Sequence, residues 1–374
     1  MRLLASMLAM LLLAGCGADH GTPSGTVPPI ALTAVLGAAA DDPGFARALA
    51  PRPLTFPADH GAHPEFRTEW WYVTGNLRAG DGSEFGYQLT LFRHALTPDA
   101  PASASAWRTN RIWLGHFAIT DLAARSHHAF ERFGREALDL AGSTAQPVSI
   151  WIDDWRIECD ENDTWHLRAG EGEFALELAA APRKPPVLQG EAGLSRKSAA
   201  PGNASYYYSL PRLDTQGTLT TPRGEFQVAG TSWLDREWST SALGAGQTGW
   251  DWFALQLDDG SELMLYRIRR ADGSIDPASA GTLVDPTGVA IPLGASDVTV
   301  TPTEHWRSAN TGSHYPIAWH IELPSRELDV TVTARLPDQE MALSLRYWEG
   351  AVTISGQLHG HPVRGTGYAE LTGY

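Results

Sequence analysis

Two similar stretches decide the fold of this chain: EWWYVTGNLRAGDGSEFGYQLTLFR at residues 69–93 and WDWFALQLDDGSELMLYR at residues 250–267. In each, a tryptophan-rich run in which residues alternate between two faces leads through Asp-Gly to a second alternating run. This pattern is typical of a β-hairpin, and Asp-Gly favours a type I′ turn between its strands. An Asp-Gly pair alone is common. Its repetition between similar strands predicts two related β domains.

Period-two alternation also fills much of the remaining chain, as in residues 328–336, whereas helical windows are confined to residues 44–49 and 134–140. Many short strands separated by Gly, Pro and Asp turns predict an all-β protein built from sandwiches or barrels. The Gly- and Ser-rich stretch at residues 239–248 marks the domain boundary. We therefore expect an N-terminal domain at residues 45–243, with a long loop at 181–203, and a C-terminal domain at 244–374.

The N-terminus has the pattern of a bacterial lipoprotein signal. Arg2 precedes an apolar run at residues 3–13, which ends in Leu-Ala-Gly before Cys16. This pattern predicts a signal peptide at residues 1–15, an acylated Cys16 and a flexible tether at 16–44. Gly17, where a retained protein would carry Asp, favours the outer membrane. An ordinary signal peptide with an incidental cysteine is the alternative. We expect a lipid-anchored envelope protein that faces the periplasm.

Composition excludes several classes of function. A net charge of −15, spread along the chain, argues against nucleic acid as a partner. Cys159 is the only cysteine besides Cys16, so we expect it to be a buried thiol and not half of a disulfide. The histidine pairs at residues 60/63 and 359/361 lack zinc-site spacing, and no phosphate loop, dinucleotide fingerprint or nucleophile elbow occurs. The sequence therefore predicts no metal and no cofactor.

The tryptophan-rich strands supply the candidate ligand-binding residues. Neighbouring strand residues point to opposite faces, so Trp70 and Tyr72 share one face and Trp71 takes the other. The 14 tryptophans exceed what two small barrels need for their cores, which favours a ligand cavity, although core packing is the alternative. The residues expected to contact an apolar ligand are Trp70, Trp71, Tyr72, Trp238, Trp250 and Trp252.

The segment SWLDREWS at residues 232–239 holds the candidate catalytic residues. Alternation places Asp235 and Glu237 on one face and Arg236 with Trp238 on the other. A carboxylic acid in an apolar cavity could protonate an alkene, because desolvation raises its pKa. Structural Asp–Arg or Arg–Glu ion pairs that tie the domains together are the commoner role for such a segment.

Two further polar residues lie among the strand patterns. Asp251 faces away from the tryptophans on either side of it, which suits a surface or interface carboxylate. His116 lies within a strand, where a single imidazole is more often a hydrogen-bonded structural residue than a base. Neither is expected to act in catalysis.

Eight blocks of sequence after about residue 50 carry a resemblance to a known family: EWWYVTGNL (69–77), FGYQLTLFR (85–93), HFAITD (116–121), SWLDREWS (232–239), GWDWFALQL (249–257), ELMLYRIR (262–269), YWEGAVTISG (347–356) and GTGYAELTGY (365–374). In this order they resemble the AttH-like family, which is related to bacterial carotenoid 1,2-hydratases. The resemblance implies two lipocalin-like barrels packed together. Its hydratase branch implies addition of water to a terminal isoprenoid double bond without a cofactor, whereas its AttH-like branch often accompanies ABC-type export permeases.

Three functions follow as hypotheses. The first is a non-catalytic envelope lipoprotein that holds a lipid, isoprenoid or similar apolar molecule in a barrel cavity, with an ABC-type permease as its candidate partner. The second is a cofactor-free hydratase or isomerase of the carotenoid hydratase type, with Asp235 or Glu237 as its acid. The third is an architectural lipoprotein with filled barrels. A carboxylate that opens into an apolar cavity would distinguish the second from the first.

Overall fold

The computed structural model describes residues 30–31, 44–100, 102–241 and 243–374. The signal peptide, Cys16 and most of the expected tether lie outside these residues. The described part consists of strands and two short 3₁₀ helices, Ala58–His60 and Pro324–Arg326. The strands are β1 (Ile30–Ala31), β2 (Thr68–Ala79), β3 (Glu84–Ala95), β4 (Arg111–Asp121), β5 (Ser126–Arg135), β6 (Ala141–Ala145), β7 (Val148–Ile152), β8 (Trp155–Cys159), β9 (Trp165–Glu171), β10 (Phe174–Pro182), β11 (Val187–Leu188), β12 (Leu194–Arg196), β13 (Ala204–Thr221), β14 (Gly224–Ser239), β15 (Gln247–Leu257), β16 (Glu262–Arg270), β17 (Ala280–Val284), β18 (Ala290–Gly294), β19 (Thr299–Arg307), β20 (His314–Leu323), β21 (Leu328–Ala334), β22 (Glu340–Ala342), β23 (Leu345–Leu358) and β24 (His361–Leu371).

These strands form two separate sheets. The first has the order β5-β4-β3-β2-β14-β13-β10-β9-β8-β7-β6, with β11 and β12 added to β13. The second has the order β18-β17-β16-β15-β24-β23-β21-β20-β19, with β1 and β22 added to β23. The predicted all-β class with two lipocalin-like units is confirmed. The last long strand of the first sheet ends at Ser239, and the first long strand of the second sheet begins at Gln247.

The first sheet curls until its two edges approach each other. Gly134 in β5 lies so close to β6 that an added Cβ would be 2.7 Å from the Ala141 methyl group. The enclosed core contains large aromatic side chains, among them Trp71, Trp113 and Trp155. Cys159 is buried in this core, as its alternation with Trp155 predicted. The second sheet wraps around its own core, which includes Trp319 and Trp348.

Both predicted hairpins form, but with a different turn from the one expected. β2 pairs with β3 and β15 pairs with β16 in antiparallel register. Only the glycines of the two Asp-Gly pairs have positive φ, at +88° for Gly82 and +90° for Gly260. A type I′ turn requires positive φ at both central residues, so the type I′ prediction is wrong. Each loop is instead closed by a glycine in the left-handed region.

Three local expectations differ from the structure. Residues 44–49 form no helix. Residues 134–140 form none either, because β5 continues to Arg135 and turns follow it. The expected long loop at 181–203 contains the short strands β11 and β12, which pair with β13. Among the described residues, no helix is both long and apolar enough to cross a lipid bilayer.

The two sheets pack face to face through an aromatic layer that includes Tyr72 and Tyr207 of the first sheet and Trp252 of the second. Buried ion pairs reinforce this contact. Glu262, at the start of β16, accepts from Lys184 at 2.6 Å and from Arg212 at 2.5 Å. The packing therefore brings side chains from both sheets into one shared, enclosed region.

Candidate active site

A cavity of about 70 Å³ lies between the two sheets. Its walls come from β2, β3, β13 and β14 on one side and from β15, β16 and β24 on the other. The lining combines aromatic rings with carboxyl groups and one amine. The lining residues are Trp70, Tyr72, Phe92, Lys197, Tyr207, Asp235, Glu237, Leu243, Trp250, Trp252, Tyr266, Ile268 and Glu370.

Asp235 in β14 is buried at this interface, and its partners are all neutral groups. Its Oδ1 accepts hydrogen bonds from Ser209 Oγ at 2.5 Å and from Trp233 Nε1 at 2.6 Å. Its Oδ2 accepts from the Tyr207 hydroxyl at 2.5 Å. Among the described residues no Lys or Arg nitrogen lies within ion-pair distance of it. Burial raises the pKa of Asp235 to about 7 despite the three donors, so the carboxyl is partly protonated at neutral pH.

Glu237 lies two residues further along β14 on the same face. Its Oε1 is 3.0 Å from the Lys197 ammonium, which follows β12 and also lies over the Tyr266 ring at 4.3 Å. The Lys197–Glu237 ion pair closes one side of the cavity. Because its charge is compensated, Glu237 is a weaker candidate for proton donation than Asp235.

A second carboxyl pair, Glu349 and Glu370, faces the same region from the second sheet. The two residues are directly opposite each other in register on β23 and β24. Glu349 accepts from the Tyr72 hydroxyl at 2.5 Å, and Glu370 accepts from Trp250 Nε1 at 2.6 Å. Desolvation raises the pKa of Glu349 well above its usual range, and the neighbouring Glu370 raises it further. Desolvation also raises the pKa of Glu370, to about 7. The pair therefore holds at least one proton at neutral pH.

Sequence reasoning missed both of these glutamates. A signal was present, because Tyr347 and Glu349 alternate in YWEGAV as Tyr368 and Glu370 do in GYAEL. Each glutamate thus shares a face with a tyrosine, as Asp235 shares a face with Trp233. What the sequence could not provide was the register that places β23 and β24 side by side and opposite β14.

The structure divides the expected ligand-binding residues into two groups. Trp70, Tyr72, Trp250 and Trp252 line the cavity together with Asp235 and Glu237. Trp71 and Trp238 lie on the opposite face, in the core of the first sheet, because strand residues alternate. They are therefore no longer candidates for contact with a ligand in this cavity.

Arg236 also faces the core of the first sheet. It pairs with the buried Glu69 carboxylate and lies 3.7 Å above the Trp71 ring. The same Glu69 pairs with Arg93. The alternative role for this segment is a structural Asp–Arg or Arg–Glu pair that ties the domains together; Arg236 does form an Arg–Glu pair, but with a partner in its own sheet. The structural ion pair lies within the first sheet and leaves Asp235 without a cation.

His116 and Asp251 have the structural surroundings that the sequence favoured. The His116 ring is fully buried, and its Nδ1 is 2.7 Å from the Tyr347 hydroxyl. Burial lowers the pKa of His116 to about 3, so the imidazole is neutral. Asp251 accepts from Arg269 at 3.0 Å and from the Tyr374 hydroxyl at 2.8 Å, on the face away from the cavity.

Two groups of potential metal ligands occur in the described residues, and neither lines the cavity. One consists of His60 in the first 3₁₀ helix, Cys159 at the end of β8 and Asp163 in the loop that follows it, and the other of His320, Glu322 and Asp329 in the second sheet. In each group the ligand atoms lie within 4.8 Å of one another. The cavity itself contains carboxyl and hydroxyl groups with a single amine, a set suited to proton transfer.

Two antiparallel lipocalin-like sheets with an acidic, aromatic cavity between them define the class of this protein. The chain belongs to the AttH-like family, which matches residues 47–374. A solved structure of AttH from Nitrosomonas europaea has 34% sequence identity and a TM-score of 0.78, covering 88% of this chain and 100% of that one. The resemblance inferred from the sequence blocks is confirmed.

Two relatives with named activities are more distant. Dehydratase asqC of Emericella nidulans is 26% identical over 229 residues, 58% of this chain and 63% of the relative. Kievitone hydratase of Fusarium solani subsp. phaseoli is 26% identical over 183 residues, 45% of this chain and 49% of the relative. The matches thus span less than two thirds of either relative. The structure of kievitone hydratase from Nectria haematococca shares the fold at 15% identity, with a TM-score of 0.68 over 88% of this chain and 96% of that one.

Proposed function

We propose that this protein is a cofactor-free hydro-lyase that adds water to an isoprenoid-like alkene or removes it from the corresponding alcohol, with Asp235 as the general acid. The observation that carries this proposal is the Asp235 carboxyl, which is partly protonated at neutral pH and lies in the wall of an aromatic cavity. An acid is most effective when its pKa lies near the working pH, because it is then both protonated and able to release the proton.

The surroundings of Asp235 suit each stage of such a reaction. Protonation of an alkene produces a carbocation, and the rings of Trp70, Trp252 and Tyr266 lie in the cavity to stabilise positive charge through their π faces. The Asp235 carboxylate left behind is stabilised by its three hydrogen-bond donors. In the reverse reaction, once the hydroxyl has departed as water, the Asp235 carboxylate takes a proton from the carbon next to the carbocation and the alkene re-forms.

The size of the cavity restricts what can enter it. A cavity of roughly 150 Å³ holds one benzene molecule, and this one is about half that volume. It therefore suits the branched end of an isoprenoid or prenyl group, with the rest of the substrate outside. The expected reacting groups are branched terminal alkenes and tertiary alcohols, since both give tertiary carbocations, which are more stable than secondary or primary ones.

The two relatives named for hydration and dehydration favour this function over ligand binding without chemistry. Binding alone remains the second candidate, because the same aromatic walls would also retain an apolar group. A filled, purely architectural pair of barrels fits the cavity least well. The two remaining candidates differ in whether Asp235 changes the substrate or only contacts it.

The test compares wild-type protein with Asp235→Asn. Both are incubated with kievitone and with linear terminal isoprenoids, and products heavier by one water molecule are measured by mass spectrometry. We expect product from the wild type and at least about a hundredfold less from Asp235→Asn, because a general acid contributes roughly 10²–10⁴ in rate. Quenching of tryptophan fluorescence by the substrate should change little. Asp329→Asn, an exposed aspartate in β21, is the control. Equal turnover by Asp235→Asn would exclude this residue as the acid.

We further propose that the protein acts in the bacterial cell envelope, anchored to the outer membrane by acylated Cys16 and facing the periplasm. The support is the signal pattern that ends at Cys16. Cys16→Ser should move the protein from the membrane to the soluble fraction or leave an uncleaved precursor, because a membrane anchor of several acyl chains is then lost. Fractionation measures this. A variant that stays membrane-bound, with the leader cleaved, would refute the anchor.

A further inference from the structure

Hydration needs two groups, one that gives a proton to carbon and one that takes a proton from water. Asp235 lies in β14 of the first sheet, whereas Glu370 lies in β24 of the second, and both line the same cavity. The two carboxyls are close enough that the charge of Asp235 contributes to raising the pKa of Glu370. They therefore face one substrate from different sheets.

The surroundings of Glu370 differ from those of Asp235 because another carboxyl group, Glu349, lies directly opposite it on the neighbouring strand. Trp250 Nε1 donates to Glu370 Oε1 at 2.6 Å, and Glu349 holds a proton beside it. Both interactions favour the ionised form of Glu370. Glu349 is itself fixed by the Tyr72 hydroxyl and is fully buried. These interactions offset part of the desolvation that raises the pKa of Glu370 to about 7, so at neutral pH a fraction of Glu370 is a carboxylate at the cavity wall, with the neutral carboxylic acid of Glu349 behind it.

We infer that Glu370 is the base that activates the hydrating water, that Glu349 positions it, and that proton and water reach the alkene from opposite sheets. This inference rests on the proposed hydro-lyase function. Asp235 transfers its proton to the terminal alkene carbon, leaving a carbocation on the neighbouring carbon. Glu370 removes a proton from water as the water oxygen bonds to that cation. The alcohol leaves, Asp235 is ionised and Glu370 is protonated, and proton return through solvent restores both groups.

The experiment separates the two steps with deuterium. Each protein is incubated in D₂O with a terminal isoprenoid alkene, and both the alcohol and the deuterium in recovered alkene are measured. In Glu370→Gln, Asp235 still delivers a deuteron and then takes back a proton from the same carbon. The recovered alkene should therefore still gain deuterium while alcohol formation falls at least about a hundredfold. In Asp235→Asn both signals should disappear. Met264→Leu, an apolar change at the same interface, is the control and should keep both.

The outcomes are distinguishable. If Glu370→Gln keeps the wild-type ratio of alcohol to exchanged alkene, or loses both signals together while folded, the assignment of Glu370 is wrong. If the wild type neither exchanges nor hydrates any alkene, the proposed function fails with it. Glu370→Asp is the control that distinguishes loss of the carboxylate from loss of the fold. It retains a carboxylate, so it should recover part of the alcohol formation. For Glu349, Gln should preserve more alcohol formation than Leu, because only Gln can still donate to Glu370.

Discussion

At the scale of single residues, the contrast between Asp235 and Asp251 explains why only one of them is a candidate acid. Both are buried strand residues beside tryptophans. Asp251 pairs with Arg269 and is also near Arg267, which compensates its charge. Asp235 has only hydroxyl and indole donors. The rise in its pKa that burial causes is therefore opposed by hydrogen bonds, with no cation at ion-pair distance among the described residues. A difference of partners, not of residue type, separates the candidate acid from the ion-paired carboxylate.

The buried carboxyls that line the cavity should make the stability of the protein sensitive to pH. The pKa of Glu370 is raised from 4.5 to about 7 on folding. Because the folded state favours the protonated form, the associated stability is fully present below about pH 4.5 and is lost as the pH rises through about 7. We expect Glu370→Gln, which is always neutral, to match wild type at about pH 4.5 and to exceed it by about 3 kcal/mol at about pH 8, since each pKa unit corresponds to about 1.4 kcal/mol.

Calorimetric melting temperatures at the two pH values measure this difference. Glu304→Gln, an exposed change in β19, should shift the melting temperature equally little at both. A Glu370→Gln effect that is the same at both pH values would contradict the raised pKa. The comparison also requires that the variant keeps the wild-type far-ultraviolet circular dichroism.

At the scale of elements, the two tryptophan hairpins illustrate how a turn can be predicted in place but not in type. The sequence located both loops and both strand pairs, because alternation and Asp-Gly are local signals. It did not distinguish a type I′ turn from a longer loop closed by glycine, since Asp-Gly suits both. In each loop the Asp side chain accepts from a following backbone N–H, as Asp81 does from Ser83 at 2.8 Å. That bond stabilises the longer loop.

Gly82 and Gly80 offer a matched test of this turn. Gly82 has φ +88° and an added Cβ would meet only a distant Arg78 nitrogen, whereas Gly80 has no positive φ and open space around it. Gly82→Ala should therefore lower the free energy of unfolding by about 1–2 kcal/mol through backbone strain alone. Gly80→Ala should change it by less than about 0.5 kcal/mol. Urea denaturation of both variants measures the difference, and equal losses would count against the left-handed glycine.

The same distinction between local and distant information explains what the sequence revealed of the site. Strand alternation correctly separated Trp70 and Tyr72 from Trp71, and Asp235 and Glu237 from Arg236. It could not say which face borders the cavity, so Trp71 and Trp238 were included with the ligand-binding residues. Glu349 and Glu370 were missed because they join the site only through the packing of the two sheets. Their strands, β23 and β24, begin more than a hundred residues after the end of β14, which carries Asp235.

At the scale of the whole molecule, each repeated hairpin carries a glutamate that forms an ion pair with the other sheet. Glu84 follows the first Asp-Gly turn and pairs with Arg335 of the second sheet. Glu262 follows the second Asp-Gly turn and pairs with Lys184 and Arg212 of the first. The repeat is therefore visible in the contacts between the sheets as well as within each sheet. The two pairs differ in burial, since the Glu84 side chain is 41% exposed and that of Glu262 is fully enclosed.

This difference predicts unequal effects of equivalent substitutions. Glu262→Ala should lower the free energy of unfolding by about 3 kcal/mol, because it leaves Lys184 and Arg212 without a counter-charge at a buried site. Glu84→Ala should cost less than about 1 kcal/mol, as is usual for an exposed ion pair. Chemical denaturation with both a tryptophan signal and circular dichroism measures the two values. Equal losses would show that burial of the pair does not control its contribution.

A cavity with one wall from each sheet has a consequence for how such proteins diversify. Under the proposed mechanism, neither half of the chain can be exchanged alone without changing one side of the reaction, since Asp235 belongs to one half and Glu370 to the other. Recombining the first sheet of one relative with the second sheet of another should preserve the separate cores yet mismatch the substrate. Adaptation to a new substrate therefore requires paired changes on the two sides of the interface between the sheets. Covariation between the two halves should concentrate at that interface.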